Sequence, residues 1–419
     1  MMASNAHAVV RPGAVATLAI CYITYAFSQF DLALFAYAMP AIRADFGVSL
    51  QTIGLVITIA YVVGGILQVM MGHLTDTFGR KRLLMVASGA SSIFVALHAL
   101  AIGPLTLALA RAGAIGTGGA IYPATGAVVA EEAPARHRGM YAGALQTAYP
   151  LGWFLASLCA APLLTHYGWR SMFLLALLSL PFLLVIKYGM PETRRFGEMA
   201  QKREARPTLR SSIATMLSPR LRRRTLTLFV AQFLFVIAYG GSTFLLPTYF
   251  TEYRGLPLGM SAYLVGVGNA VSILGYFGAA WIGDNLLSRR TTVVIFTFLG
   301  AIGFLFMIWV PRGFYPTMAA FALMSIFFYG TAAVKFAFVA ELFPTALRAT
   351  GLAVCGSLAV NLGIAVGPLL VSTAVQEIGW QAALSWAVAA PLFAAGSLYL
   401  FLKPLPSGLE VEELEERIA

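Results

Sequence analysis

Apolar segments long enough to cross a bilayer alternate with short polar segments along the whole chain. A membrane-spanning helix needs about 20 mostly apolar residues, because each residue adds about 1.5 Å. Twelve segments meet this requirement, so the pattern predicts an all-α membrane protein with twelve transmembrane helices. The predicted spans are 14–39, 51–72, 83–103, 105–130, 141–164, 169–189, 225–250, 260–282, 291–310, 315–340, 351–375 and 380–402.

The composition narrows the class of protein. Of 419 residues, 59% are hydrophobic and 11% are charged, and the mean hydropathy is +0.80. Soluble domains carry about 25% charged residues, so this chain is not a soluble enzyme, a disordered protein or a collagen-like fibre. The three cysteines lie far apart in apolar segments and match no disulfide or metal-binding spacing. We therefore expect no metal and no cofactor.

The loop charges predict the orientation of the helices. The net charge is +11, and the loops on the N-terminal side hold most of the basic residues. The opposite side carries only Arg43, Arg170, Arg254 and Arg312. Because cytoplasmic loops are enriched in Lys and Arg, both termini are expected to face the cytoplasm. We prefer this explanation of the positive net charge to binding of a nucleic-acid partner. A multi-pass protein of the cell (inner) membrane is expected.

Three spaced similarities indicate an internal duplication. Two Glu-x-x-Pro-x-x-x-Arg motifs lie 210 residues apart, beginning at Glu131 and Glu341 and ending at Arg138 and Arg348. Trp169 and Trp380, each preceded by glycine, differ by 211, and Asp76 and Asp284 differ by 208. The repeat therefore predicts two halves of six helices each. Transporters with such a duplication bind substrate near the midplane of the membrane, between their repeats. The expected division is 1–190 for the N-terminal half, 191–224 for a basic cytoplasmic loop, 225–403 for the C-terminal half and 404–419 for a cytoplasmic tail.

Two motifs resemble those of the major facilitator superfamily. The loop after the second span runs from Gly72 through Asp76 and Gly79 to Arg82, and the fourth span runs from Arg111 to Glu131. The first span, with Asp31 following Phe30, is similar to that of the aromatic-acid and sialate proton symporters within this superfamily. The resemblance implies two pseudo-symmetric six-helix halves, with spans one, four, seven and ten lining a central cavity.

Three charged residues fall within those four spans. A charge inside the bilayer costs at least a few kcal/mol, so Asp31, Arg111 and Lys335 need a reason to be there. We expect Arg111 and Lys335 to attract an anionic substrate and Asp31 to carry a proton. An anion bound at Arg111 would offset the positive charge beside Asp31 and favour proton uptake. The alternatives are a permanent Asp31–Arg111 ion pair, and a Lys335 that pairs with Glu341 or reaches towards the cytoplasm.

Polar and aromatic side chains in the first, fifth and seventh spans are further candidates for substrate binding. Aromatic rings can stack on a ring of the substrate, and amide and hydroxyl groups can hydrogen-bond its polar atoms. The same groups often join neighbouring helices instead. The candidates are Tyr25, Gln146, Tyr149, Gln232 and Tyr239.

The charged residues of the loop motifs are expected to control the inner gate. Opposite charges at the ends of helices can pair when the gate is closed and separate when it opens. The alternative is ordinary loop electrostatics. The candidate gating residues are Asp76, Arg80, Glu131, Arg138, Asp284, Glu341 and Arg348.

The hypothesis that follows is a secondary active transporter. We expect symport of a small organic anion with protons by alternating access, in a monomer whose partners are the substrate, protons and the lipid bilayer. A proton-coupled exporter of hydrophobic drugs or metabolites and a sugar or polyol symporter are the alternatives. An enzyme is not expected, because no set of nucleophile, base and orienting group appears.

Overall fold

A computed structural model describes residues 14–133, 138–191, 214–219, 221–343 and 351–403, and within these ranges every regular element is a helix. Ten of the described segments are long and apolar enough to cross a membrane. The last of them, Val354–Tyr399, contains two helices, because Gly379 interrupts it with a positive φ of 76°. A further helix pair, 104–132, supplies the remaining span. The prediction of a twelve-helix membrane protein is therefore confirmed.

The helices occur at the predicted positions, and most extend a few residues beyond them. We number them by span, and several spans consist of two consecutive helical pieces. The helices are α1 Ala14–Phe46, α2 Leu50–Phe78, α3 Arg80–Leu97, α4 Pro104–Gly118 with Ile121–Glu132, α5 Arg138–Gln146 with Ala148–His166, α6 Trp169–Gly189, α7 Arg222–Tyr253, α8 Leu258–Asn285, α9 Arg289–Trp309, α10 Phe314–Phe328 with Thr331–Glu341, α11 351–378 and α12 380–399.

The two halves, α1–α6 and α7–α12, repeat the same irregularities. Helix α4 is interrupted by a turn at 119–120, and α10 is interrupted at 329–330, which is the 210-residue offset of the sequence repeat. Gly168 and Gly379 precede α6 and α12 with φ values of 75° and 76°. Residues with a side chain rarely adopt this left-handed conformation, so glycine allows the chain to reverse at both places.

Close helix contacts join the halves along two seams. Helix α2 packs on α11, where the Thr58 hydroxyl donates to the Ala365 carbonyl oxygen at 2.6 Å. Helix α5 packs on α8, where a Cβ atom on Gly266 would overlap the Ser157 side chain. Small residues at helix contacts let backbones approach closely, which is how membrane helices associate without a hydrophobic driving force. The space between α1, α4, α7 and α10 therefore lies at the junction of the halves.

Helices α8 and α10 provide a test of this close packing. A Cβ atom on Gly275 would lie 2.0 Å from the Ile326 carbonyl oxygen, whereas one on Gly278 would meet nothing within 4 Å. We expect Gly275→Ala to lower the free energy of unfolding by about 1–3 kcal/mol, the usual cost of overpacking. Gly278→Ala should leave thermal unfolding in detergent unchanged. Equal effects of the two substitutions would contradict the packing explanation.

Candidate substrate and proton site

Aromatic side chains from both halves meet at the junction. The ring of Tyr149 on α5 lies 6.0 Å from that of Tyr239 on α7, and Trp153 lies 6.2 Å from Phe244. Tyr239 also contacts Tyr329 on α10, with ring centroids 5.6 Å apart. Such tilted and edge-to-face pairs are favourable aromatic contacts. Two of the predicted substrate-binding residues, Tyr149 and Tyr239, therefore face each other across the halves.

Arg111 lies at the same junction, in the first of the two helical pieces of α4. Its side chain is 1% exposed, and its guanidinium carbon lies 4.3 Å from the Phe35 ring and 5.7 Å from the Phe244 ring. One nitrogen donates to the Leu32 carbonyl oxygen at 3.4 Å, while Nε has no partner among the described residues. The aromatic rings hold the cation by cation–π contacts and leave most of its donors for another acceptor. Arg111 can therefore bind an anion.

Asp31 lies on α1, on the side that faces α3. It is 3% exposed, and the Ser92 hydroxyl donates to its Oδ2 at 3.3 Å. Its Oδ1 has no hydrogen-bond partner in the described ranges. Within those same ranges no ion pair forms between Asp31 and Arg111. The predicted alternative of a permanent ion pair is thus not formed in this structure, and the carboxyl group keeps an oxygen available for a proton.

Lys335 on α10 does not join Arg111. It is 7% exposed, and its Nζ lies 3.4 Å from the centroid of the Phe235 ring. Phe235 and Phe244, which contact the two cations, are nine residues apart on α7, or about 13 Å along the helix axis. Their side chains also lie on opposite faces of α7, because nine residues correspond to about two and a half turns. The structure therefore does not bring the two predicted cations together around one carboxylate.

The remaining predicted substrate-binding residues fall into two places. Tyr25 packs against Tyr122 on α4 with ring centroids 5.1 Å apart, and Gln146 donates to the Tyr122 hydroxyl at 2.7 Å. Gln232 lies apart from these residues, because its Oε1 accepts a hydrogen bond of 3.0 Å from Tyr399 on α12. The contact of Gln232 corresponds to the predicted alternative, a bond between neighbouring helices.

A charge cluster lies at the end of the C-terminal half where α9 begins. Arg289 donates to Asp284 Oδ1 at 2.7 Å and forms a second ion pair with Glu341. Arg289 therefore joins two predicted gating residues, Asp284 and Glu341. Arg289 itself was not among the predicted gating residues, although the basic pair Arg289–Arg290 follows Asp284 in the sequence. Among the ion pairs of the described residues none joins Lys335 to Glu341. Of the other predicted gating residues, Arg80 is buried. The side chains of Asp76, Glu131 and Arg138, and the whole of Arg348, lie outside the described part of the chain.

An ion pair joins the two halves at the opposite end of the bundle. Arg43, near the end of α1, pairs with Glu252, near the end of α7. Their positions in the sequence are 209 residues apart, so no local pattern pointed to this contact. Both side chains are about 30% exposed. The pair therefore links α1 of the first half to α7 of the second at this end of the junction.

Arg43→Gln is expected to open this end. An exposed ion pair contributes about 0.2–1 kcal/mol, so the population of the open state should rise about 1.4- to fivefold. Spin labels on Gln51→Cys and Met260→Cys, in a variant without the three native cysteines, would report the distance between the halves. The control is Arg170→Gln, which removes the 2.8 Å pair with Asp45 inside the N-terminal half. If both variants changed the distance distribution equally, the Arg43–Glu252 pair would not be what keeps this end of the junction closed.

Comparisons with known proteins agree with this architecture. The chain is 29% identical over 352 residues to the cis,cis-muconate transport protein of Acinetobacter baylyi, covering 81% of this chain and 82% of that protein. It is 26% identical over 351 residues to the niacin transporter NiaP of the same organism, covering 78% and 79%. In structure it is similar to a bacterial homologue of the human lysosomal transporter Spinster, solved in an inward-facing and occupied conformation. That match has a TM-score of 0.69 and 13% identity, and covers 93% of this chain and 95% of the other.

The assignment of the chain to a protein family rests on a match that covers most of its length. The sequence profile of the Major Facilitator Superfamily matches residues 21–313. This range includes both motifs of the first half, the central loop and the first helices of the second half. The chain belongs to the Major Facilitator Superfamily.

Proposed function

We propose that this protein transports a small organic anion together with protons by alternating access. The observation that carries the proposal is Arg111, a buried guanidinium at the junction of the halves that has unused donors. A buried charge is expensive, and a carboxylate that reaches this guanidinium would form short, charge-assisted and often bidentate hydrogen bonds. Members of this family transport solutes, so an enzymatic function is not proposed.

The surroundings of Arg111 indicate which organic anions fit. Phe35 and Phe244 flank the guanidinium, and Tyr149 and Tyr239 extend the aromatic wall across both halves. Such a wall favours a flat, conjugated or aromatic body attached to the carboxylate. One cation at the junction matches one carboxylate, since Phe235, which contacts Lys335, lies about 13 Å along α7 from Phe244, which contacts Arg111. The two relatives are named for flat, conjugated acids, niacin with one carboxylate and cis,cis-muconate with two, and these names support a substrate with such a body.

Asp31 is the proposed proton carrier. Its Oδ1 is buried without a partner in the described residues, and its contact with Ser92 is compatible with either a charged or a protonated carboxyl group. Binding of the substrate anion to Arg111 would neutralise a nearby positive charge and favour the protonated form. Substrate and proton would then be bound together and cross together.

The two ends of the bundle are the proposed gates. The Arg43–Glu252 pair would close one end, and at the other end Arg289 would hold Asp284 and Glu341 while Arg80 acts with the loop motifs. We place the Arg43 end outside and both termini in the cytoplasm of a monomer in the inner membrane, because the basic loops lie at the Arg289 end.

The test is uptake by purified protein in liposomes. Labelled nicotinate, benzoate and cis,cis-muconate are offered with and without an inward proton gradient, and labelled glucose is the control. We expect the gradient to drive accumulation of at least one acid and none of the sugar. Transport of glucose, or of no acid, would contradict the assignment to organic anions. Uptake of an acid that ignores the gradient would contradict proton coupling alone.

A further inference from the structure

Two rows of polar side chains, one on α1 and one on α3, face each other inside the N-terminal half; we call them the two stripes. On α1, Thr24, Ser28 and Asp31 are four and three residues apart, and on α3, Ser88 and Ser92 are four apart. Residues three or four apart share one face of a helix, so each stripe forms a continuous polar line. Both lines begin beside Asp31 and run towards the end of the bundle where α1 and α3 start. They lie on the side of α1 away from the C-terminal half.

A small cavity occupies the space between the two stripes. It is lined by all five of these residues and is closed by α4 and α6, where Ile121 and Ser179 contribute. Its volume open to a water-sized molecule is about 10 Å³, close to the space that one water requires. The cavity therefore has room for one small polar ligand next to a carboxyl group.

Two buried oxygen atoms in this cavity lack partners among the described residues. They are Oδ1 of Asp31 and Oγ of Ser88, one on each stripe. Ser88 lies one helical turn from Ser92, which already donates to the other oxygen of Asp31. An unsatisfied buried polar atom costs about 1–3 kcal/mol, so a ligand that bonds both atoms would remove a substantial penalty.

We propose that this cavity binds a water molecule that carries the proton between Asp31 and the end of the bundle where α1 begins, along a route separate from that of the substrate. This inference rests on the proposed role of Asp31. When the acid gives up its proton, the carboxyl O–H bond breaks, the water oxygen takes the proton, and the water releases one of its own protons towards solvent past Ser88. Uptake reverses these steps, so no other reactant is needed.

A metal cation fits the same cavity less well. Thr24 donates to Ile20 O and Ser91 to Ala114 O, and the Ser92 hydroxyl bonds both Asp31 and Ser179. Hard cations need about six oxygen ligands, whereas water needs two to four partners. Arg111 on α4 is the charged group that acts on Asp31 in the described structure, while α3 and α6 present hydroxyl and apolar groups to it.

Ser88→Ala and Ser92→Ala test the proposal, with Ser325→Ala as the control. Ser325 is also buried but donates to the Gly268 carbonyl oxygen on α8, in the other half of the protein from Asp31. The readouts are nicotinate uptake driven by a proton gradient, and nicotinate counterflow, which needs no net proton movement. We expect each cavity variant to lose about tenfold in gradient-driven uptake and to keep counterflow within about twofold. The control should keep both.

Other outcomes would overturn the proposal. If the cavity variants lost both activities equally, the hydroxyls would serve only the fold. If they lost neither, the proton would take another route. If a sodium gradient replaced the proton gradient and Ser88→Ala abolished that effect, the cavity would bind a cation. A wild-type protein without gradient-driven uptake of any acid would instead contradict the proposed function itself, so the two failures are distinguishable.

Discussion

Arg111→Gln is expected to lower organic-acid uptake about 100-fold at low substrate concentration. Removing one partner of a buried charged hydrogen bond costs about 2–5 kcal/mol, and 2.7 kcal/mol corresponds to a factor of 100. The variant should remain folded, because Arg111 makes one long hydrogen bond, to Leu32, in the described structure. The measurement is the concentration dependence of initial uptake in liposomes, with thermal unfolding to verify the fold.

Two further variants sharpen this prediction. Arg111→Lys keeps the charge but loses the planar fork that grips a carboxylate, so its affinity should fall between those of wild type and Arg111→Gln. Arg170→Gln removes an arginine that is nearly half exposed and lies outside the junction, and uptake should be unchanged. Normal substrate affinity in Arg111→Gln would show that the anion binds elsewhere, with Lys335 as the next candidate.

Asp31→Asn is expected to abolish accumulation while preserving exchange. A symporter that moves one proton per anion should accumulate substrate about tenfold per unit of pH difference. An amide cannot take up or release the proton, so the internal and external concentrations should become equal. The amide oxygen can still accept from Ser92, so binding and counterflow should survive and should lose their dependence on pH.

The matched control for this variant is Asp45→Asn. Asp45 lies on the same helix but is solvent-exposed and pairs with Arg170, so its loss should leave accumulation intact. Undiminished proton-driven accumulation in Asp31→Asn would assign the coupling to another group. Loss of counterflow together with accumulation would instead assign Asp31 to binding or to the fold.

The sequence by itself determined the helices, their order and the duplication. Hydropathy over about 20 residues reports local burial in lipid, which does not depend on what packs beside it. The repeat around Trp169 and Trp380 likewise predicted equivalent positions, and both are preceded by a glycine with positive φ. The cost of charge in the bilayer also marked Asp31, Arg111 and Lys335 as residues that need an explanation.

Only the tertiary structure decided which of these side chains meet. It separated Lys335 from Arg111, placed Asp31 against a serine-lined cavity on α3, and paired Arg43 with Glu252. Each of these facts depends on how helices far apart in sequence are rotated and packed. Helical periodicity shows that a residue is buried, but the neighbouring helix it faces is determined by contacts between residues more than 50 positions apart.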